Sequence, residues 1–561
     1  PGSRGTSDTG PAGPYRSRRH DIPDLKADDM VHTSNSLRGM VTSPHHLASQ
    51  AGLDVLKDGG TAIEAIIATA STLSAVYPHM TGLGGDAFWL IAFPDGRTLA
   101  IDACGKLAQA ATNDFYEQAG HKTIPWRGGF AANTVAGAVS SWETALRESS
   151  KIQTPLPLER LLRDATHYAE NGRVVTSSEA GLLREKEHEL SDNNAFRQAL
   201  LSDTIPLVEG DIRKNPALAQ TLRHLATHGL RSFYEGPLAR MIAADLEAAG
   251  SPVRLSDLLN HQATTGLPLE TETSWGRLYN TAPPTQGVAS LLILSLFDRL
   301  GLNRENVDSY EHIHGIVEAT KQAFRYRNTE VDGRPTSEAN ARALLSDPTS
   351  LTDMADRISM NHAYPWNEKT QWGDTTWMGA IDSSGLSVSM IQSLYFEFGS
   401  GVMLPESGLL WQNRGSSFRL TSGGWNALTP GAKPFHTLNP AAARLNDGRL
   451  MVYGTMGGEG QPQTQATIFS RHIHYGTPLQ EAISRPRWLL GRIWGHGSTS
   501  LKIEPGFDPA VISALRTAGH EIEELPALSM LMGHAGAIIR HENGRLEGAT
   551  DPRSDGAVAG W

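Results

Sequence analysis

The chain has 561 residues, 39% of them apolar, a formal net charge of −11 and one cysteine, Cys104. The acidic balance argues against nucleic acid as a partner, which calls for a basic patch. A lone cysteine excludes an intrachain disulfide and a cysteine-based metal cluster. No stretch approaches the roughly 20 apolar residues needed to cross a bilayer, so no membrane is expected as a partner.

In chain order, residues 1–30 are rich in Gly, Pro, Ser, Arg and Asp and lack an apolar signal-peptide core, which predicts a disordered arm and a cytoplasmic chain. Helical spacing runs from His46 to Leu56, and Gly59-Gly60 stops it. Ala62 to Val76 is almost wholly Ala, Ile, Leu and Val, the composition of a helix buried on all sides. Gly82-Leu83-Gly84-Gly85-Asp86 follows; without a P-loop lysine it reads as a buried turn near a site. Ala87–Ile91 and Thr98–Ile101 flank a Pro94-Asp95-Gly96 turn as two strands. The middle, about 150 to 350, reads as mostly helical, with helices over Leu156–Glu170, Ala217–Leu225, Leu238–Ala249 and His312–Tyr326. The last third changes to period-two patterning. Three hairpins turn at Ser383-Ser384-Gly385, Asn446-Asp447-Gly448 and Glu542-Asn543-Gly544, and helices are expected at Pro478–Ser484 and Pro509–Ala518.

Chemistry concentrates in that last third. Gly373-Asp374-Thr375-Thr376-Trp377 precedes a strand. It is followed by Phe398-Gly399-Ser400-Gly401, by Trp411-Gln412-Asn413-Arg414, by Lys433-Pro434-Phe435-His436-Thr437, and by Gly454-Thr455-Met456-Gly457-Gly458-Glu459-Gly460-Gln461. With Ala51–Gly60 and Pro78–Gly85 in the first half, this ordered set resembles the gamma-glutamyltransferase family from about residue 35 to residue 561.

The resemblance implies an α+β fold, a four-layer αββα sandwich of the N-terminal-nucleophile class. It implies a precursor cut between Asp374 and Thr375 into a large subunit (31–374) and a small catalytic subunit (375–561) that stay together; a homodimer of the two-chain unit is left open. Thr375 is then both the cleavage point and the nucleophile. A threonine suits this because its hydroxyl attacks the preceding carbonyl, and the α-amine so released serves as the base. By the same resemblance Thr376 and Ser393 assist the hydroxyl, and Gly457-Gly458 offers backbone N–H groups to the oxyanion. No cofactor is implied.

The recognition residues depart from the transpeptidase pattern. The arginine of the Ile-Asp-Phe-Arg-Glu-type segment is missing from Ile101-Asp102-Ala103-Cys104-Gly105, and Ser417 stands for the acid that holds an α-amine. His436-Thr437 replaces a serine pair, Tyr395 an asparagine and Trp377 a histidine. Arg414 adds a cation able to grip a carboxylate in two-point fashion. Substrate contacts are therefore expected from Arg414, Ser417, His436, Thr437, Tyr395 and Trp377. The pattern is similar to the branch containing oxamate amidohydrolase and cephalosporin-acylase-like proteins, and implies hydrolysis of a small amide, with anionic oxamate-like amides as candidates. A gamma-glutamyl hydrolase or transpeptidase with an altered pocket, a specialised natural-product biosynthetic enzyme, and a non-catalytic scaffold are the alternatives. Cys104 reads as a small buried turn residue. The pairs His45-His46, His312/His314 and His472/His474 lack supporting carboxylates, so no metal is expected.

Overall fold

The structure, a computed structural model, describes residues 32–190, 196–197, 207–367, 374–491 and 499–561. The arm expected over 1–30 lies outside them.

Two seven-stranded sheets face each other. One runs in the order Ser34–Ser36, Leu546–Thr550, Ala535–Arg540, Leu450–Thr455, Ala441–Leu445, Gly276–Asn280, Leu269–Thr273. The other runs Ala557–Gly560, Gly39–Ser43, Asp374–Asp382, Ser387–Tyr395, Asp86–Ala92, Thr98–Ala103, Thr264–Gly266. Successive side chains of a strand point to opposite faces, and that alternation sorts the core into layers. On Asp86–Ala92, Ala87, Trp89 and Ile91 join the core beneath one helical layer, whereas Phe88, Leu90 and Ala92 turn inward between the sheets. On Leu450–Thr455, Met451 and Tyr453 pack against the other helical layer and Leu450 and Val452 turn inward. Helices His46–Lys57 and Ala62–Val76 cover one outer face, and Gly287–Arg299 and Gln461–Phe469 the other. The result is the four-layer αββα sandwich.

The helix over Ala62–Val76 keeps its expected bounds and is buried at every residue; Thr61 and Glu64 close its N-terminus as a capping box. All three hairpins form. Two expectations change. Leu156–Glu170 is two helices, Leu158–Leu161 and Arg163–Asn171, broken at Leu162. The mostly helical middle also supplies the strands Thr264–Gly266, Leu269–Thr273 and Gly276–Asn280, each at a sheet edge or next to one. Their short runs, such as Leu-Glu-Thr-Glu-Thr at Leu269–Thr273, carry little apolar alternation; pairing with Ala441–Leu445 and Thr98–Ala103 makes them strands.

Each sheet draws strands from both sides of residue 375. A cut there would leave two segments joined by paired strands and a shared core.

Candidate active site

Thr375 sits near the start of Asp374–Asp382, where the ladder slips. Asp374 pairs with Tyr395 but Thr376 pairs with Gln392, so Thr375 faces two residues, Ser393 and Leu394. Such an irregularity bends a strand and re-aims a side chain. Thr375 is 1% exposed, and its Oγ1 accepts a hydrogen bond from Gln461 Nε2 at 3.3 Å. Thr376 donates from Oγ1 to the Gln392 carbonyl at 2.8 Å, which ties the hairpin together one residue on. Ser393 Oγ accepts from the Tyr395 backbone N–H at 2.8 Å. Hairpin register thus brings the three hydroxyl residues singled out in the sequence to one end of the sheet.

Gly457 and Gly458 have φ of 118° and 52°, and lead into helix Gln461–Phe469. The two left-handed glycines place a tight turn directly before a helix N-terminus, which favours negative charge. Side chains at these φ values are strained. The turn is pinned from outside: Gln286 Nε2 donates to the carbonyls of both Gly458 and Thr437 at 2.8 Å, and Gln286 Oε1 accepts from Arg327, which also pairs with Glu459 at 2.6 Å.

Among the residues expected to contact substrate, His436 meets a buried carboxylate, Asp86. Asp86 Oδ1 accepts from the backbone N–H of Gly105 and Gly137 and from Gln412 Nε2, at 2.9–3.1 Å; Oδ2 accepts from His436 Nε2 at 3.1 Å. Burial raises its pKa to about 6, against the lowering effect of those bonds. His436 is held neutral, its pKa pushed well down by burial and by the Arg414 charge. Its Nδ1 accepts the Leu438 N–H at 3.3 Å, so the ring proton is on Nε2, toward Asp86.

Arg414 is 1% exposed. Its Nη1 donates to Thr437 Oγ1 at 3.0 Å, and its guanidinium lies 3.4 Å over the Tyr395 ring. Nε and Nη2 have no hydrogen-bond partner among the described residues. Burial lowers the pKa of this guanidinium, and a buried cation with idle donors is costly to keep. Tyr395 itself has φ 82°, a strained value for an aromatic residue. The loop it opens is over-determined: Arg127 Nη1 donates to the carbonyls of Glu397 and Gly399, and Asn413 Oδ1 accepts the Phe396 N–H.

Not every expected contact residue faces open space. The Trp377 ring is wedged between the sheets against Gly454 and Gly536, where an added Cβ would stand 2.1 Å and 2.5 Å from it, and its Nε1 donates to Ser389 Oγ. It packs the sheet interface, because on a strand the side chain two beyond Thr375 points the same way but deeper. Both ring nitrogens of His436 are engaged within the protein, so it braces the floor. Ser417 Oγ donates to the Phe435 carbonyl at 3.5 Å and its own carbonyl takes Asn426 Nδ2, so it ties the 414–417 turn down. Thr437 meets Arg414 directly. Sequence reasoning assigned no role to Asp86, Gln461 or Gln286. Asp86 closes the quoted Gly82–Gly85 turn, and an acid next to a glycine pair that abuts Ser393 was the available signal: a Cβ on Gly85 would be 2.1 Å from the Ser393 carbonyl.

Two groups have metal-ligand spacing among the described residues: Asp86, Cys104 and His436, and His314, Glu318 and His520. Both are engaged otherwise. His436 turns its N–H to Asp86, and burial holds Cys104 as a thiol, its pKa raised well above the ordinary value. His314 bridges His520 Nε2 and the Ser359 carbonyl at 2.8 Å each, and Glu318 pairs with Lys321.

Over 533 residues the chain is 52% identical to the oxamate amidohydrolase proenzyme of Klebsiella pneumoniae subsp. pneumoniae, covering 95% of this chain and all of that one. It is 37% identical to the glutathione hydrolase-like YwrD proenzyme of Bacillus subtilis, over 93% of this chain and 98% of that one. Among solved structures, the cephalosporin acylase from Bacillus halodurans superposes with a TM-score of 0.86 at 30% identity, covering 97% of this chain and 99% of that one. The gamma-glutamyltranspeptidase family description matches residues 48–561, and the chain belongs to that family.

Proposed function

We propose that this chain is a self-processing amidohydrolase that cleaves a small anionic amide, of which oxamate is the simplest, through an ester on Thr375. The observation that carries the substrate class is Arg414: a fully buried guanidinium, stacked on Tyr395, with two N–H-bearing nitrogens idle. A substrate carboxylate supplies the acceptors those donors lack. No acidic side chain forms an ion pair with this guanidinium among the described residues; the Asp86 and Glu459 carboxylates act on its charge only from farther off. The 52% identity to an oxamate amidohydrolase proenzyme supports the same class.

The proposed chemistry runs in two stages. Thr375 Oγ attacks the Asp374 carbonyl, the peptide C–N bond breaks, and the ester left on Oγ is opened by water. That frees the Asp374 carboxylate and the Thr375 α-amine. In turnover Oγ attacks the substrate carbonyl and its proton passes to the α-amine. The tetrahedral oxyanion is met by the N–H groups of the Gly457-Gly458 turn. The amine returns the proton to the departing nitrogen, which leaves as ammonia, and water then opens the acyl ester by the reverse transfer. With oxamate the products are oxalate and ammonia. No charged group beyond Arg414 is asked to move.

Thr375→Ala tests the core of this reading. It is expected to give a single uncut chain, with ammonia release from oxamate lower by at least roughly a thousandfold. Intact mass under denaturing conditions and N-terminal sequencing read the first effect. Cutting at the same place in the alanine variant would remove Thr375 from the mechanism.

A further inference from the structure

Helix Gln461–Phe469 carries three buried glutamines whose amides are used differently. Gln463 donates to the Leu490 carbonyl at 3.0 Å and accepts the Leu490 N–H at 2.8 Å, so both ends are satisfied. Gln465 donates to Asn439 and its Oε1 takes Asn280 Nδ2 at 3.5 Å. Gln461 is equally buried, yet only its nitrogen is engaged, with Thr375 Oγ1. Its Oε1 is buried and has no partner among the described residues. A buried carbonyl left unpaired is costly, and a catalytic role is one of the reasons a protein keeps such a group.

We propose that Gln461 is a catalytic residue that holds Thr375 by both ends of its amide, the nitrogen on the hydroxyl and the oxygen on the α-amine that self-cleavage releases. This rests on Thr375 being the nucleophile. In the continuous chain the Thr375 nitrogen is a peptide amide with one hydrogen. Cleavage converts it to an amine with two, or three when protonated, and so creates a donor beside the hydroxyl that Gln461 already touches. The Nε2 donation occupies a lone pair of Oγ, leaves the hydroxyl proton to turn toward the amine, and stabilises negative charge growing on Oγ. The Oε1 acceptance orients the amine and favours its ammonium form once the hydroxyl proton has arrived. The proton travels from Oγ to the amine and on to the leaving nitrogen, and no bond to Gln461 forms. Placement at the first turn of the helix, three positions after Gly458, sets the amide beside the left-handed turn that carries the oxyanion donors.

The test reads the α-amine directly and needs no substrate. In the processed protein, the small chain's N-terminal amine is labelled with acetic anhydride across a pH series and quantified by mass spectrometry, which returns its pKa. Gln461→Met removes the acceptor without adding charge and is expected to lower that pKa; Gln461→Glu puts a carboxylate there and is expected to raise it. Only the cut fraction is read, so slow processing does not hide the result. The methionine variant is further expected to lose on the order of a hundredfold in kcat on oxamate, the scale of one donor lost from a developing anion, with KM little changed. Titration of parent and both variants at the same pH, or a shift of both in one direction, would overturn the role. If no chain beginning at Thr375 is found, the nucleophile assignment fails instead, and the two failures are told apart by that one mass.

Discussion

The nucleophile end of the site and its recognition floor are built from different materials. Around Thr375 the working groups are hydroxyls, one glutamine amide and the backbone of two left-handed glycines. Around Arg414 they are buried charges and their neutral braces: Asp86, His436, Gln412 and, at the edge, Lys433 paired to Asp102 at 2.7 Å. In the proposed reaction the first set handles a charge that appears only in the transition state, which preorganised dipoles can stabilise while the Thr375 α-amine carries the proton. In the proposed reading the second set binds a charge that substrate brings with it, which calls for a permanent cation. The difference explains how one fold can keep its chemistry and exchange its substrate: the floor can be rewired without touching a hydroxyl or a glycine at the other end.

That division is most sharply broken at Arg414. Arg414→Met is expected to cost roughly 3 kcal/mol of transition-state binding, on the order of a hundredfold in kcat/KM for oxamate. Processing at Thr375, which needs no substrate carboxylate, should be unaffected. An arginine variant that fails to cut would show the two regions to be one. The sheet interface that supports the nucleophile end comes next. Gly454→Ala places a Cβ 2.1 Å from Trp377 Cδ1. It should lower stability by about 1–3 kcal/mol in thermal or denaturant unfolding, with part of the loss recovered when Trp377→Leu is added. Additive losses would separate the two side chains.

The smallest effect is expected from Asp86, and it appears in pH dependence. Burial raises its pKa in the folded chain from the ordinary 3.8 to about 6. The folded state therefore holds this proton more tightly than the unfolded chain, and the stability linked to it is present below pH 3.8 and lost as pH rises through about 6. Asp86→Asn should flatten the unfolding free energy over that window. An unchanged slope would place the titration on another group.

Much of this was legible in the residues. The Ala62–Val76 helix and the three hairpins follow from periodicity and turn chemistry, which are local, whereas the threonine pair at 375 and 376 stood out only through the chain-wide resemblance to the family. The edge strands at 264–280 were not legible, because a short polar strand gains its identity from the partner it pairs with. Trp377 was expected at the substrate and lies between the sheets; whether an inward side chain reaches a cavity or a facing sheet depends on Gly454 and Gly536, some 80 and 160 positions away. Asp86 and Gln461 were visible as letters without roles, since each acts through partners distant in the chain.

By itself the sequence determined which residue types could do chemistry, their order along the chain, and the alternation that sends one face of each strand to the helices and the other to the opposite sheet. Tertiary structure alone decided which polar atoms are satisfied and which are left idle. Hydrogen bonding between distant segments is a matter of angstroms, and the two idle nitrogens of Arg414 and the idle oxygen of Gln461 exist only after the sheets have closed around them.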